Sequence, residues 1–311
     1  MKILRIAAIA FAAAWAQPAL AQDYPAEPVH FVAPTPPGGG ADVLIHILQA
    51  TLQKAWNREL VPENKPGARG RVGADLVAAA APDGYTLLMG SNVSVTDANI
   101  AKFEPVARVT VTPYVLAVNP LVPVQNVGEL IAYAKKNPGK LRFGSSGPGS
   151  GPHLAAELFN AQAHVDMRHV PSKGTNQALD DVVEGRTDVL FGPAQQVMPY
   201  AQSAKLRALA STGTKRPVYL PADLPTVAES LPGYEAVSWF GVFAPAKTPA
   251  AIVTRLSTDL QHALETHEVK QLMLITGAET AGQGPGEFAA FVRADQAKWS
   301  RLMKERCIKS E

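Results

Sequence analysis

A strand pattern that leads directly into a proline- and glycine-rich turn, and then into a helix pattern, constrains this chain most. The apolar run at residues 29–33 is typical of a buried strand, and the turn at residues 34–42 follows it. The prolines of the turn fix φ, whereas its glycines tolerate positive φ and close approach. Because the first N–H groups of a helix have no partner inside it, this stretch predicts an anion site made of backbone atoms.

A flexible connection between strand and helix is the alternative interpretation of these glycines. The common phosphate-binding motifs do not match, because the chain contains no Gly-x-x-x-x-Gly-Lys-Ser/Thr. The consecutive glycines Gly38, Gly39 and Gly40 also differ from the Gly-x-Gly-x-x-Gly spacing of dinucleotide-binding proteins. We therefore expect a carboxylate rather than a nucleotide at this turn.

A second unit of the same kind follows later in the chain. A strand pattern at residues 141–144 precedes a turn rich in serine and glycine, and a helix pattern begins near Leu154. Open α/β sheets bind ligands at the carboxyl ends of their strands. Two such turns facing each other across a cleft predict a clamp that closes on a ligand.

Strand and helix patterns alternate along the rest of the chain, which predicts an α/β fold with parallel sheets covered by helices on both faces. The 311 residues are enough for two domains. No low-complexity linker is present, so we expect crossing strands at residues 115–119 and 238–244 to act as hinges. Domain 1 is predicted to comprise residues 22–118 plus 243–311, and domain 2 residues 119–242.

The N-terminus predicts export. Lys2 and Arg5 precede an apolar core at residues 6–15, which is too short to span a bilayer. The small residues Ala19 and Ala21 are suited to cleavage after Ala21, so residues 1–21 are predicted to be a signal peptide and the mature protein to be soluble and exported. An uncleaved membrane anchor is the alternative, which the short core disfavours.

The sequence offers no set of residues for catalysis. Ser145, Ser146 and Ser150 do not lie in a Gly-x-Ser-x-Gly motif, which disfavours an α/β-hydrolase. Cys307 is the single cysteine, so neither an intramolecular disulfide nor a cysteine-based metal site can form. We expect no catalytic residue, no metal and no cofactor. The net charge of +2 gives no reason to expect a nucleic-acid partner.

Two ionisable side chains in the turns each have two interpretations. Asp42 either caps the first helical turn or holds an amine or hydroxyl group of a ligand. His153 either contacts the ligand or caps the second turn. Capping is favoured for both residues, because acidic residues are common in first turns and a lone histidine is weak support for a ligand contact.

Several motifs resemble those of the substrate-binding receptors of tripartite tricarboxylate transporters, the Bug (TctC-like) family. The first turn is similar to the family's Pro-aromatic-Pro-x-Gly-Gly-x-x-Asp, and the second to its Ser-Ala-Gly-x-Gly-Ser-x-x-His. The resemblance covers the whole mature chain and rests on residues 34–42, 63–68, 81–88, 146–153, 206–210, 224–229, 231–235, 238–241 and 244–245.

The resemblance implies a two-domain periplasmic-binding-protein fold, the Venus flytrap of type II. It also implies that a small carboxylated metabolite is held between the domains, and that its partners are membrane transporter subunits or a sensor protein. We expect a monomer. The expected ligand contacts are Thr35, Gly38, Gly39, Gly40, Ala41, Asp42, Ser91, Asn92, Ser146, Gly149, Ser150, Gly151, His153 and Gly192.

Some positions near the expected ligand depart from the family pattern. Thr35 stands where an aromatic residue is usual, and Ser172 stands where tyrosine is usual. Prolines and a glycine replace polar residues in the second turn, and residues 191–193 replace a Phe-Asp-Asn-like strand end. The ligand is therefore expected to be atypical. An orphan receptor with an altered pocket, or an enzyme acting on a small carboxylate on the same scaffold, are the alternatives.

Cleavage of the signal peptide is directly testable. N-terminal sequencing of protein from a periplasmic extract should give a chain that begins near Gln22, because the small residues Ala19 and Ala21 precede it. A chain that begins at Met1 in that extract would contradict the prediction.

Overall fold

The computed structural model describes residues 24–308. The predicted signal peptide and its cleavage site lie outside these residues. The strands are β1 (Val29–Ala33), β2 (Leu60–Asn64), β3 (Thr86–Ser91), β4 (Phe103–Val118), β5 (Arg142–Ser145), β6 (Arg168–Pro171), β7 (Val189–Pro193), β8 (Arg207–Ser211), β9 (Val237–Pro245) and β10 (Glu279–Gln283). The helices are α1 (Gly40–Trp56), α2 (Arg71–Ala78), α3 (Val127–Lys136), α4 (Gly151–Ala163), α5 (Thr175–Val183), α6 (Ala194–Gln202), α7 (Val227–Ser230), α8 (Ala250–Glu265), α9 (His267–Ile275) and α10 (Pro285–Glu305).

The strands form one continuous sheet in the order β2-β1-β3-β9-β4-β7-β5-β6, with β10 and β8 also paired to β4. At one end β1 pairs in parallel with β2 and β3, and at the other end β5 pairs in parallel with β6 and β7. The alternation of strands and helices predicted these outer strands correctly. The centre is antiparallel, because β9 runs opposite to both β3 and β4. The expectation of purely parallel sheets is therefore wrong at the centre.

The central strand β4 belongs to both halves of the molecule. Its residues up to Pro113 pair with β9, and its residues from Tyr114 onward pair with β7 and β8. The change of partner thus falls just before the predicted hinge at residues 115–119. The second connection between the halves enters β9 at Val237, just before the other predicted hinge. The division into two domains at residues 118 and 243 stays a prediction.

The first part of β4 and the strand β10 were not predicted. Pro105 and Pro113 interrupt the pattern of β4, and proline donates no hydrogen bond to a neighbouring strand. The structure accommodates Pro105 by an irregular register with β9 between Pro105 and Ala107. The strand β10 has no apolar alternation, since its sequence is Glu-Thr-Ala-Gly-Gln. Antiparallel pairing with β4 holds it in place.

Each half has its own hydrophobic core. Phe31, Leu48 and Leu260 lie in the core that α1 and α8 form with the first half of the sheet. Phe143 and Phe159 lie in the core of the second half. The helix α1 turns an apolar stripe toward this core, with Leu44, Leu48 and Leu52 all buried. Burial of such side chains from water is the main favourable contribution to folding.

The helix α10 packs against both halves. Phe288 at its start lies in a core cluster with β9, whereas Leu302 near its end belongs to the core of the second half. Beyond its last turn, Arg306 forms an ion pair of 2.7 Å with Glu157 on α4. The last helix therefore spans the two halves. None of the helices within residues 24–308 is long and apolar enough to cross a membrane.

A close approach at the centre of the sheet generates a stability prediction. A Cβ atom on Gly241 of β9 would collide with the ring of Phe288 and lie 2.9 Å from the carbonyl oxygen of Ala107. We expect Gly241→Ala to lower the free energy of unfolding by about 1–3 kcal/mol, measured by urea denaturation.

Gly286→Ala is the matched control, because Gly286 lies in α10 and a Cβ atom there would meet nothing within 4 Å. It should leave the free energy of unfolding unchanged, or raise it by about 0.5–1 kcal/mol through helix propensity. Equal stability of the two variants would contradict the prediction.

Candidate functional site

The turn between β1 and α1 is held by its own polar groups. The carboxylate of Asp42 accepts hydrogen bonds from the Gly38 N–H at 2.8 Å and from the side-chain amide of Asn64 at 2.9 Å. Asn64 also donates to the carbonyl oxygen of Thr35 at 3.2 Å. Asp42 therefore caps the turn, as the first of its two interpretations expects. The hydrogen bond from the Gly38 N–H to the side chain of Asp42, which lies in the first turn of α1, is similar to one half of a capping box.

The charge of Asp42 follows from these contacts. Burial by itself raises the pKa of this carboxyl, but the hydrogen bonds from Gly38 and Asn64 and the nearby His46 lower it, and the net shift of the pKa is downward. Nδ1 of His46 lies 3.7 Å from the carboxylate. Asp42 is thus ionised at neutral pH and its negative charge stabilises the start of α1.

Backbone donors remain at the start of α1. Its cap residue Gly39 supplies no side-chain hydrogen bond, and the N–H of Gly39 is used by the carbonyl oxygen of Pro36 at 2.9 Å. Within residues 24–308, no acceptor is bonded to the N–H groups of Gly40 and Ala41. The first helical turn therefore keeps donors for an anion.

The turn between β5 and α4 has a similar internal framework. Ser150 is the N-cap of α4, and its hydroxyl accepts from the His153 N–H at 3.4 Å. The N–H of Gly149 donates to Nδ1 of His153 at 3.0 Å. At the start of the turn, Oγ of Ser145 accepts from the Gly147 N–H at 3.1 Å. His153 thus caps the turn, in agreement with the second interpretation given for it.

His153 packs against a second histidine that the sequence did not single out for this site. The rings of His153 and His169 are stacked, with centroids 3.9 Å apart and an angle of 18° between their planes. Nε2 of His169 lies 2.6 Å from Oγ of Ser145. Burial lowers the pKa of both imidazoles to about 4. Both rings are therefore neutral at pH 7.

The two helices that begin at the turns rest on aromatic side chains of the central strands. A Cβ atom on Gly40, the first residue of α1, would lie 2.9 Å from Cζ of Phe240 on β9. A Cβ atom on Gly151, the first residue of α4, would collide with the hydroxyl of Tyr114 on β4. Burial raises the pKa of Tyr114 to about 12, so its hydroxyl is neutral. Both glycines are therefore required by packing.

A cleft of about 690 Å³ opens between the two halves beside the second turn. Of the expected ligand contacts, Asn92, Gly149, Ser150 and Gly151 line it. The start of α2 and the residues after β3 form one wall, and α10 forms another with Trp299 and Met303. Sequence reasoning missed the contribution of α10, because only the tertiary fold brings this helix to the cleft.

The remaining expected contacts lie elsewhere. Asp42 borders a smaller groove on the outer side of α1, together with His46 and Leu272. Ser91 is buried at the end of β3, where its hydroxyl accepts from the Val93 N–H at 3.3 Å. A Cβ atom on Gly192 of β7 would lie 2.7 Å from Val197 on α6, which gives this glycine a packing role.

Two departures from the family pattern have clear structural consequences. The hydroxyl of Ser172 donates to Asp181 on α5 at 2.7 Å. This hydrogen bond, followed by the contact with Arg186, lowers the pKa of Asp181. The hydroxyl of Thr35 is buried without a hydrogen-bond partner among the described residues. Neither residue supplies the aromatic ring that is usual at its position.

No metal site is formed by the part of the chain that the structure describes. Residues 24–308 contain no group of three or more His, Cys, Asp or Glu side chains that can hold a metal ion. Cys307 is exposed and free.

Two α/β halves joined by shared central strands, with the start of α4 at the intervening cleft, define a two-domain solute-binding protein. The family model described as "Tripartite tricarboxylate transporter family receptor" matches residues 44–308. The chain belongs to this family, as the motif resemblance predicted.

Curated relatives and solved structures agree with this assignment. The chain is 33% identical over 304 residues to protein BugT of Bordetella pertussis, covering 93% of this chain and 92% of BugT. A TctC solute-binding protein from Polaromonas, without ligand, is 27% identical with a TM-score of 0.83, covering 91% of this chain and 99% of that one. An R. palustris protein with adipate is 33% identical with a TM-score of 0.70, covering 92% and 99%. MatC from Rhodopseudomonas palustris, with bound malate, is 29% identical with a TM-score of 0.66, covering 90% and 99%.

The cap of the first turn generates a second stability prediction. Asp42→Ala leaves the Gly38 N–H and the Asn64 amide without their acceptor, so we expect it to lower the free energy of unfolding by about 1–3 kcal/mol at pH 7. Urea denaturation at several pH values measures this effect. Because the pKa of Asp42 is lowered in the folded state, the difference from wild type should shrink as pH falls below the ordinary value of 3.8.

Asp180→Ala is the control, because Asp180 is exposed on α5. Its free energy of unfolding should stay within about 0.5 kcal/mol of wild type. A loss in Asp42→Ala no larger than in this control, or a loss that grows in acid, would show that the capping contact does not stabilise the turn.

Proposed function

We propose that this protein is a periplasmic receptor that captures a small carboxylated metabolite and delivers it to a tripartite tricarboxylate-type transporter or to a sensor. The observation that carries the proposal is the pair of helix starts, α1 and α4, each opening with a glycine seated on a central-strand aromatic ring. Helix N-termini present N–H donors and a positive dipole end to an anion. The receptor acts as a monomer and carries out no catalysis.

The carboxylate is proposed to bind to backbone donors of the two turns rather than to a formal positive charge. The turns at residues 34–42 and 144–153 contain no Arg or Lys. The N–H group of the exposed Gly40 supplies a donor from the first half when the halves close, and Ser150 and Gly151 supply the surface of the second half that lines the cleft. The other expected contacts with internal partners, such as Gly38 and His153, then act by holding the turns in shape.

Relatives with bound ligands support a carboxylate as the ligand class. Adipate is bound by one structural relative and malate by another, and both molecules are dicarboxylates. The chain superposes better on the unliganded Polaromonas protein, with a TM-score of 0.83, than on these two, with 0.70 and 0.66. Since such a score depends on how two halves are placed, this supports an open arrangement that closes on the ligand.

The serine and histidine side chains beside the second turn do not form an accessible nucleophile. Ser145 and His169 are within hydrogen-bond distance, but Ser145 is fully buried and its hydroxyl is occupied by the turn. A nucleophile must be reachable by the substrate. We therefore place this pair in the structural framework of the turn and assign the protein to binding.

Ligand capture is tested with mature protein from a periplasmic extract. Native mass spectrometry should find a co-purified carboxylate, and a panel including adipate and malate should raise the melting temperature. A ligand at about 100 times its Kd adds about 2.7 kcal/mol of stability.

Closure and turnover are measured separately. Small-angle scattering should show a smaller radius of gyration at saturation, and NMR should show the ligand chemically unchanged. Turnover of the ligand would favour an enzyme, and absence of stabilisation by every carboxylate would favour an orphan receptor.

Substitution of the basic residues at the cleft tests whether a salt bridge, rather than the backbone, holds the carboxylate. Arg71 and Lys102 line the cleft, but both are exposed and lie within 3.6 Å of Asp75. Arg71→Gln and Lys102→Gln should therefore weaken binding by less than about fivefold, as expected for exposed ion pairs. Loss of binding in either variant would show that the carboxylate is held by a salt bridge instead of the backbone.

A further inference from the structure

The turn before α4 is attached to imidazole rings at both of its ends. Ser145 begins the turn and its Oγ lies 2.6 Å from Nε2 of His169. Gly149 is near the end of the turn and its N–H donates to Nδ1 of His153 at 3.0 Å. The two rings are stacked directly on each other. The stack therefore connects the two ends of the turn through side chains that lie below it.

The protonation state of His153 follows from its partner. A nitrogen that accepts a hydrogen bond from a backbone N–H carries no proton, so the proton of the neutral ring is on Nε2. Nε2 lies 3.8 Å from the carboxylate of Glu157, which is itself paired with Arg306 at 2.7 Å. A second proton on the ring would occupy Nδ1 and remove the acceptor of the Gly149 N–H.

We propose that His153 and His169 act together as positioning residues, which hold the second turn in its ligand-binding geometry only while both rings are neutral. On the proposed function, the turn then presents Ser150 and Gly151 to the carboxylate in a fixed arrangement. Protonation of either ring places a positive charge against its neighbour at a centroid distance of 3.9 Å. At His153 the second proton also removes Nδ1 as the acceptor of the Gly149 N–H, and the turn loosens.

The charged and titratable groups around the stack come from three elements. Glu157 is on α4, Arg306 follows α10, and the two histidines face each other from α4 and β6. The strand β5, which pairs with β6, carries Arg142. This side chain lies on the opposite face of the strand from Phe143, which stacks on both histidines, and it forms an ion pair with Asp188 at 2.9 Å. The strands β7 and β9 carry no ionisable side chain. Burial lowers the pKa of both histidines to about 4, and Glu157 opposes this shift at His169. Loosening of the turn is therefore expected only in acid, near pH 4.

Two substitutions separate the functions of the ring. His153→Phe keeps a flat ring for stacking but has no acceptor. His153→Asn keeps an acceptor near the position of Nδ1 but cannot take up a proton. His164→Asn is the control, because His164 is exposed at the opposite end of α4 with φ of 53°, a conformation that asparagine tolerates. Circular dichroism confirms that each variant is folded.

The first measurement is amide hydrogen exchange in the turn, made on the mature chain without ligand. We expect His153→Phe to exchange about tenfold faster at Gly149, since one hydrogen bond is lost. His153→Asn and His164→Asn should exchange as wild type does. Exchange in His153→Phe that equals wild type, or exchange in His153→Asn that equals His153→Phe, would overturn the proposal.

The second measurement is an NMR titration of the histidine rings and the Gly149 amide from pH 7.5 to 3.5. The Gly149 signal of wild type should move with the ring signals of His153 near pH 4, and it should stay still in His153→Asn. A Gly149 signal that does not follow the rings would overturn the proposal.

Affinity for adipate, used as the probe, provides the third measurement. His153→Phe should bind adipate about tenfold more weakly at pH 7.5, and His153→Asn should bind as wild type does. In acid, adipate itself becomes protonated, so only the difference between wild type and His153→Asn is assigned to the rings. If wild type does not bind adipate, a carboxylate of the panel that does bind replaces it as the probe. If none binds, the proposed ligand class is contradicted, whereas exchange and titration still decide the positioning role. Equal adipate binding by wild type and His153→Phe would contradict that role.

Discussion

The pairing of β4 determines how the rest of the molecule is arranged. One strand joins β9 in the first half and β7 and β8 in the second, so both halves share a single run of backbone hydrogen bonds. The same region places Tyr114 and Phe240 under the starts of α4 and α1. The helix starts are thus fixed relative to the strands that connect the halves. Any rotation of one half against the other about these strands must therefore change the distance between the turns that precede α1 and α4.

The glycines of the turns have different physical roles, although the sequence presents them as equivalent. Gly38 has φ of 78°, where a side chain would be strained, and no other atom crowds it. A Cβ atom on Gly39 would lie 2.7 Å from Cβ of Thr35 in its own turn, and one on Gly40 would collide with Phe240. A larger residue at Gly39 would therefore distort the turn before it obstructed a ligand. Close approach to a ligand and close packing of the protein require the same residue type.

Much of the fold follows from the sequence, because local patterns are sufficient for its outer elements. The bounds predicted for β1, residues 29–33, are the observed ones. The contacts that hold the two turns are harder to predict, because some of them join residues that are far apart in the sequence. Asp42 was assigned correctly to capping, since its partner Gly38 is four residues away. His169, however, reaches the turn only through pairing of β6 with β5, and no local pattern indicates that its ring stacks on His153.

Two of the departures from the family pattern remove an aromatic ring from positions where the family usually has one. The residues at the usual aromatic positions, Thr35 and Ser172, direct their hydroxyls to the protein interior or to Asp181. The body of a ligand therefore meets no ring at these positions. Apolar surface in the cleft comes from Trp299 and Met303 on α10, from Leu154 on α4 and from Val93 and Val95 after β3. A helix that packs against both halves must shift against at least one of them if the halves close as proposed, so α10 connects the proposed closure to one wall of the cleft.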